Sequence, residues 1–200
     1  MEPNHIGPTS PMDQPPASAP AGGGGRVVTV ERRYLGLDDL TGLRPGRLPA
    51  LPARLERVAP CPVDTWRALY RQIGDEWHWH DRDAWDDHRI QLHLERAEVQ
   101  VYRVMVDDLP QPERPAGFLE LERHPDGAVE IVYLGIDRRA FGLGLGGWLL
   151  AEAVRTAFAD GARRVWLHTC TLDAPAALPN YLARGFTLER TETYQTTVAD

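Results

Sequence analysis

Apolar residues return every three or four positions along Leu145, Leu149, Leu150, Ala153, Val154, Ala157 and Phe158. That spacing places them on one face of a helix. Asp160-Gly161 supplies its stop signal. Ahead of the helix, Val129 to Ile136 reads as a strand, with Asp126-Gly127 as the turn that leads into it. Behind it, Arg163 to Cys170 reads as another strand. Between the first strand and the helix, four glycines crowd into the six residues Gly142 to Gly147. The unit is strand, glycine loop, helix, strand.

The first half is coarser. Val27 to Leu35 reads as a strand. Leu43 to Pro62 is rich in proline and arginine, with a short strand at Arg54–Val58. Asp64 can cap a helix on which Trp66, Leu69, Tyr70 and Ile73 share a face. A second helix is expected over Asp86 to Arg96, followed by strands at Glu98–Val106 and Gly117–Arg123. Residues 1–25 differ in kind: eleven of these 25 residues are Pro or Gly. Such a segment cannot bury enough apolar surface to offset chain entropy and is expected to be a disordered tail. Residues 26–200 suit one domain with a good-sized core.

Composition narrows the function classes. The net charge of −7 argues against a nucleic-acid partner and suits a cationic or amine substrate. All 22 basic residues are arginine, so Schiff-base lysine chemistry is excluded. Cys61 and Cys170 form neither a disulfide framework nor a metal cluster. No run of 18 apolar residues and no secretory pattern is visible, so a cytoplasmic protein with no membrane contact is expected.

A glycine turn feeding a helix start is an anion site, because the first helical N–H groups lack partners and carry partial positive charge. A Walker loop needs a Gly-Lys pair, and the chain has no lysine. Gly142-x-Gly144-x-x-Gly147 matches a dinucleotide fingerprint formally. Its glycines should follow the strand directly, however, and an acid should end the next strand. Here Asp137 to Phe141 intervene, and the next strand ends in His168-Thr169-Cys170.

Residues 130–186 resemble the GNAT acetyltransferases (GCN5-related N-acetyltransferases). Gly144-Leu145-Gly146 fits the glycines of that family's coenzyme A loop. Tyr181-Leu182-Ala183-Arg184-Gly185-Phe186 fits its Tyr-x-x-x-Gly-Phe block. The resemblance implies an α/β (α+β) GNAT fold: a central, mixed, mostly antiparallel splayed sheet flanked by helices. It implies an acetyl-CoA-dependent N-acetyltransferase acting on the amine of a small molecule or peptide by direct transfer in a ternary complex. The alternatives are a catalytically silent acyl-CoA-binding domain, or a transferase using another acyl-CoA or a hydroxyl acceptor. One departure stands out: the family's basic residue before the first glycine falls on Phe141. Arg138 and Arg139, just upstream, are the candidates to replace it.

The resemblance assigns the thioester and pantetheine to the backbone of Leu134, Gly135 and Ile136. It assigns the diphosphate to Gly142, Leu143, Gly144, Leu145, Gly146 and Gly147. Asp173 falls where the family often has an asparagine that contacts coenzyme A, though a helix N-cap is the plainer reading. Tyr181 matches the family's general acid near the thioester sulfur. Two residues compete for the base. His168 has the right pKa range. Glu130, sharing a strand face with Val132, Leu134 and Ile136, would be raised by desolvation if buried. Glu120, in an alternating segment, is a third and is expected to be exposed. Cys170 beside His168 reads as an inert strand cysteine. Trp77, His78, Trp79 and Glu120 are the candidate acceptor contacts, with two tryptophans plugging the core as the alternative. His78, His80 and Asp81 lack a distant third ligand, so no metal is expected. Trp148, opposite the apolar helix face, should be covered by another part of the chain or by a second subunit in a homodimer.

Overall fold

The computed structural model describes residues 25–199. The expected N-terminal tail lies outside the described residues but for Gly25, which is the first residue of a strand. The elements in chain order are β1 (Gly25–Leu37), β2 (Ala53–Arg57), α1 (Val63–Gly74), α2 (Asp87–Leu94), β3 (Val99–Val106), β4 (Gly117–Arg123), β5 (Ala128–Ile136), α3 (Leu145–Ala159), β6 (Arg164–Cys170), α4 (Ala177–Ala183) and β7 (Thr187–Ala199). One seven-stranded sheet takes the order β2-β3-β4-β5-β6-β1-β7. All neighbours are antiparallel except β5 and β6. The sheet is mixed and mostly antiparallel, as expected.

The two faces carry separate cores. On one, Leu145, Leu149, Leu150, Ala153, Val154 and Ala157 of α3 pack on Leu119, Leu121, Ile131, Val165 and Leu167, with Tyr181 and Phe186 beside them. On the other, Trp66, Leu69, Tyr70 and Ile73 of α1 pack with Ile90 on Val99, Val101, Phe118, Val132 and Tyr133. The α1 face is the one its periodicity predicts. Its cap is not: the helix begins at Val63 after Pro62, so Asp64 sits in the first turn, where a carboxylate favours the positive helix end. Asp86 does cap α2, accepting from Arg89 N at 2.8 Å.

A bulge rearranges β5. Glu120 pairs with Tyr133 and Leu121 with Ile131, leaving Val132 as the extra residue. Val132 and Tyr133 therefore both join the α1 core, and Leu134 and Ile136 turn to the α3 core. This corrects the simple period-two expectation: Glu130 shares its face with Val132 but not with Leu134 and Ile136.

No local sequence signal places the N-terminal strand. It inserts between β6 and β7, pairing Arg32 with Cys170 and with Glu192. The chain must then cross the molecule to reach β2 at the far edge. It does so over the start of α3: Ala50 N donates to Leu143 O at 2.9 Å, and a methyl placed on Gly46 would lie 3.1 Å from the Gly147 carbonyl carbon. Trp148 is half-buried against the α3 core rather than standing free. Among the described residues no helix is long and apolar enough to cross a membrane.

Candidate active site

β5 and β6 run together only briefly. Their parallel pairing covers Ala128/Arg164, Val129/Val165 and Glu130/Trp166. Beyond that point β6 continues against β1 and β5 against β4. The two strands part, and from Ile131 to Ile136 the edge of β5 facing β6 has no strand partner among the described residues. Unpaired N–H and C=O groups along such an edge can accept an extended amide chain. Leu134, Gly135 and Ile136 lie on this stretch, half-buried. Gly135 has a packing reason as well: a methyl there would sit 2.2 Å from Ile73 Cγ2.

The glycine loop closes the wide end. A short 3-10 turn, Arg138–Ala140, precedes it. Gly142 and Gly144 take φ of 80° and 79°, a region other residues rarely adopt. Gly144 is the N-cap residue of α3, and no acidic side chain occupies the first helical turn. Leu143, Leu145, Gly146 and Gly147 complete the turn. Phe141 is half exposed. Neither upstream arginine is well placed to replace its missing charge. Arg139 is held by Asp137 and by the carbonyls of Pro110 and Pro115, and exposed Arg138 pairs with Glu76 at 3.0 Å. Arg184, on α4's C-terminal side, instead brings its guanidinium to the start of α3: a methyl on Gly147 would lie 2.7 Å from Nη1.

At the narrow end sits Glu130, fully buried. His124, on the hairpin before β5, places Nε2 3.1 Å from Glu130 Oε2. His168 Nδ1 stands 3.7 Å from Oε1, beyond hydrogen-bond range. Oε1 has no hydrogen-bond partner among the described residues. Burial pushes this carboxyl up, but the His124 hydrogen bond and the two imidazoles outweigh it and hold it below the usual range. This corrects the sequence expectation of a raised carboxyl. His124 moves the other way, raised by its hydrogen bond to Glu130. Sequence reasoning misses His124, although a signal for it exists. It stands two residues before the Asp126-Gly127 turn, diagonally across the hairpin from Glu130, with His124 N donating to Ala128 O at 2.8 Å.

Tyr181 lies in the α3 core at 8% exposure, and its hydroxyl makes no hydrogen bond among the described residues. Burial, with the negative charge of Asp173, raises this phenol further. Asp173 is not the helix cap: α4 starts at Ala177 after Ala176. Its carboxylate instead ties the end of β6, accepting from Thr169 Oγ1 at 2.5 Å and Cys170 N at 2.9 Å. Cys170 is pushed up to about 11 by burial and by Asp173, so it stays a neutral thiol.

The acceptor candidates divide. Glu120 is fully buried, not exposed: Trp66 Nε1 donates to it at 2.6 Å and Arg82 Nη1 at 2.7 Å, and His93 Nε2 lies at 3.0 Å. Trp79 packs 4.8 Å from the Tyr133 ring, plugging the core against Gly74 and Gly135. Trp77 is half-buried, and His78 is exposed at a φ of 55°. Asp81 accepts from the hydroxyls of Tyr70 and Tyr133. Among the described residues no group of His, Cys, Asp and Glu could hold a metal.

A parted parallel strand pair with a glycine loop at the following helix start matches the splayed sheet that the GNAT resemblance implies. A family model described as the acetyltransferase (GNAT) family matches residues 66–186. The chain belongs to that family. No curated protein sequence matches it. Solved structures with the same fold include a GCN5-related N-acetyltransferase from Kribbella flavida, with TM-score 0.56 and 19% identity, over 86% of this chain and 59% of that one. The chain thus spans less than two thirds of the length of that relative. A GNAT-family protein from Novosphingobium aromaticivorans gives TM-score 0.58 and 19% identity over 93% and 70% of the two chains. The PaiA N-acetyltransferase from Thermoplasma acidophilum, solved in complex with coenzyme A, gives 0.55 and 15% over 74% and 100%.

Proposed function

We propose that this protein is an acetyl-CoA-dependent N-acetyltransferase that passes acetyl directly to the amine of a small molecule or peptide in a ternary complex. The observation that carries the reading is the parting of β5 from β6 immediately after Glu130, with the glycine loop at one end of the opening and an unpaired carboxylate oxygen at the other. The pantetheine amides lie along the free edge of Leu134, Gly135 and Ile136. The diphosphate sits on the amides from Gly142 to Gly147, and Arg184 supplies the side-chain charge that Phe141 lacks. The buried Glu130 takes the proton of the acceptor ammonium through a water or through the partly exposed His168, which faces Oε1. Tyr181 gives its proton to the leaving thiolate, a role its unengaged hydroxyl suits. Trp77 and His78 remain the acceptor contacts. Glu120 and Trp79 act behind them by fixing the loop between α1 and α2.

An acyl-CoA and amine screen with release of free thiol as readout tests this reading. Acceptor-dependent thiol release supports it. Tight acyl-CoA binding without turnover on any amine would instead favour an acyl-CoA-binding domain, the reading that Phe141 supports.

A further inference from the structure

A cavity of about 500 Å³ opens against the end of α1, beside the cleft described above. Its walls come from the last turn of α1, from the 3-10 turn Asp75–Trp77 that follows it, and from the chain just after β5. Ile136, the last residue of the unpaired β5 edge, lies in its lining. The cavity therefore adjoins both the stretch assigned to the thioester and pantetheine and the turn that carries Trp77.

Its charge runs against that of the molecule. Four arginines line it against three carboxylates, in a chain of net charge −7. Two of the four are engaged. Arg138 pairs with Glu76 at 3.0 Å, and Arg139 is fixed by Asp137 at 2.9 Å and by the carbonyls of Pro110 and Pro115. Arg114 is anchored on one side alone: Nη2 donates to Asp137 Oδ2 at 3.2 Å, while Nε and Nη1 have no partner among the described residues. The anchor is itself held, because Asp137 is buried and also accepts from Gln72 Nε2 at 2.7 Å. The Arg71 guanidinium has no ion pair or hydrogen bond among the described residues. Asp75, the remaining carboxylate, is exposed and pairs with neither arginine.

From this arrangement we propose that the acceptor carries a carboxylate as well as its amine, and that Arg71 and Arg114 bind that carboxylate. The inference rests on the acetyltransferase reading above and narrows its acceptor to a short amino acid or dipeptide. A planar carboxylate matches guanidinium N–H groups through paired, charge-assisted hydrogen bonds. Ile136 stands two residues from Leu134, about 7 Å along a strand. An acceptor with its carboxylate in the cavity and its amine beside Leu134 spans that length, as a dipeptide or an ω-amino acid does. Such a zwitterion has no net charge for the acidic surface to repel. Both arginines bind and align the acceptor, and neither moves a proton.

Two measurements test the assignment. The first compares glycylglycine, β-alanine and γ-aminobutyrate as acceptors with their primary amides. The wild type should favour the acids over their amides by about tenfold or more in kcat/KM, the scale of a hydrogen bond to a charged group. Arg71→Gln should remove most of that preference and leave KM for acetyl-CoA unchanged, and Arg114→Gln should weaken it. Both side chains are exposed, so neither substitution should disturb the fold. Amides used as well as acids, plain amines used alone, or a preference that survives both substitutions overturns the proposal. So does a raised KM for acetyl-CoA with the preference intact, since the cavity then serves the coenzyme. The second measurement needs no turnover: calorimetric titration of the same three acids into the wild type and Arg71→Gln in the presence of coenzyme A. Binding about tenfold weaker in Arg71→Gln supports the site, and equal binding, or none to the wild type, overturns it. A wild type that binds the acids but acetylates no amine would sink the acetyltransferase reading and leave the carboxylate site standing.

Discussion

Glu120 and Glu130 lie on the same face of the same sheet, on neighbouring strands, and both are fully buried. Their surroundings differ in one respect. Glu120 has a partner for each oxygen: Arg82 and His93 on Oε1, Trp66 on Oε2. Arg82 is itself buried and lies over the rings of Trp66, Trp85 and Tyr133. Burial opposes ionisation of Glu120, but the charge of Arg82 and its other partners win and bring it down to about 2. Glu130 has two histidines, no arginine among the described residues, and one oxygen left over. An unpaired buried acceptor costs about 1–3 kcal/mol. A group fully bonded to a permanent cation cannot exchange protons near neutral pH. Glu130 keeps one oxygen free to accept a proton in passing. The first carboxylate builds the site and the second is suited to work in it.

The largest effect should come from breaking the Glu120 cluster. Arg82→Met leaves a buried charge without its cation, which typically costs about 3–5 kcal/mol. Denaturant unfolding should register that loss. Adding Glu120→Leu to Arg82→Met should recover most of it, because the charge left behind is then gone. A single variant as stable as the wild type would refute the structural role assigned to Glu120.

Glu130→Gln should behave in the opposite way. The isosteric amide keeps an oxygen for His124 and removes a buried charge that is only half satisfied, so the two changes offset and the unfolding free energy should change by no more than about 1 kcal/mol. Turnover should fall by about 10²- to 10⁴-fold, the usual scale for loss of a general base. A large stability loss with retained kcat would reverse the two assignments.

Tyr181→Phe comes next. The hydroxyl has no partner to lose among the described residues, so stability and coenzyme A affinity should be nearly unchanged. Loss of the acid should lower kcat on the order of 10²-fold. A variant with wild-type kcat would remove Tyr181 from the chemistry.

The contrast between the two carboxylates also explains what can be read from the chain. Local periodicity and the glycine run suffice for α3 and the strands around it, whereas the opening beside them comes only from the family resemblance. The place of Glu130 on β5 is enough to make it a base candidate. What escapes depends on long-range pairing or on one-residue detail. The bulge at Val132 leaves no mark in a period-two pattern, yet it decides which side chains follow Glu130 on its face. The slot of β1 between β6 and β7 follows from contacts more than a hundred residues apart in sequence, such as Arg32 with Cys170. Arg82 ends the segment from Glu76 that reads as an acceptor site, and nothing local ties it to Glu120. Glu120 reads as exposed because nothing local announces its buried cation.

The smallest expected effect is the pH dependence of stability, and it separates the clusters by sign. Glu120 is depressed from 4.5 to about 2, so its contribution is fully present above the unfolded value and is lost as pH falls between these two. His124 is raised above 6.5, so its contribution is present below that value and is lost as pH rises through the folded one. The partial exposure of His124 keeps its share small. Unfolding measured as pH rises above 6.5 should therefore show a shallow decline in the wild type that His124→Gln flattens. The acid loss below about pH 4.5 should persist in His124→Gln and weaken in the Arg82→Met, Glu120→Leu double variant. If the neutral slope survives loss of His124, the coupling between His124 and Glu130 is too weak to matter, and the two carboxylates differ less than their contacts imply.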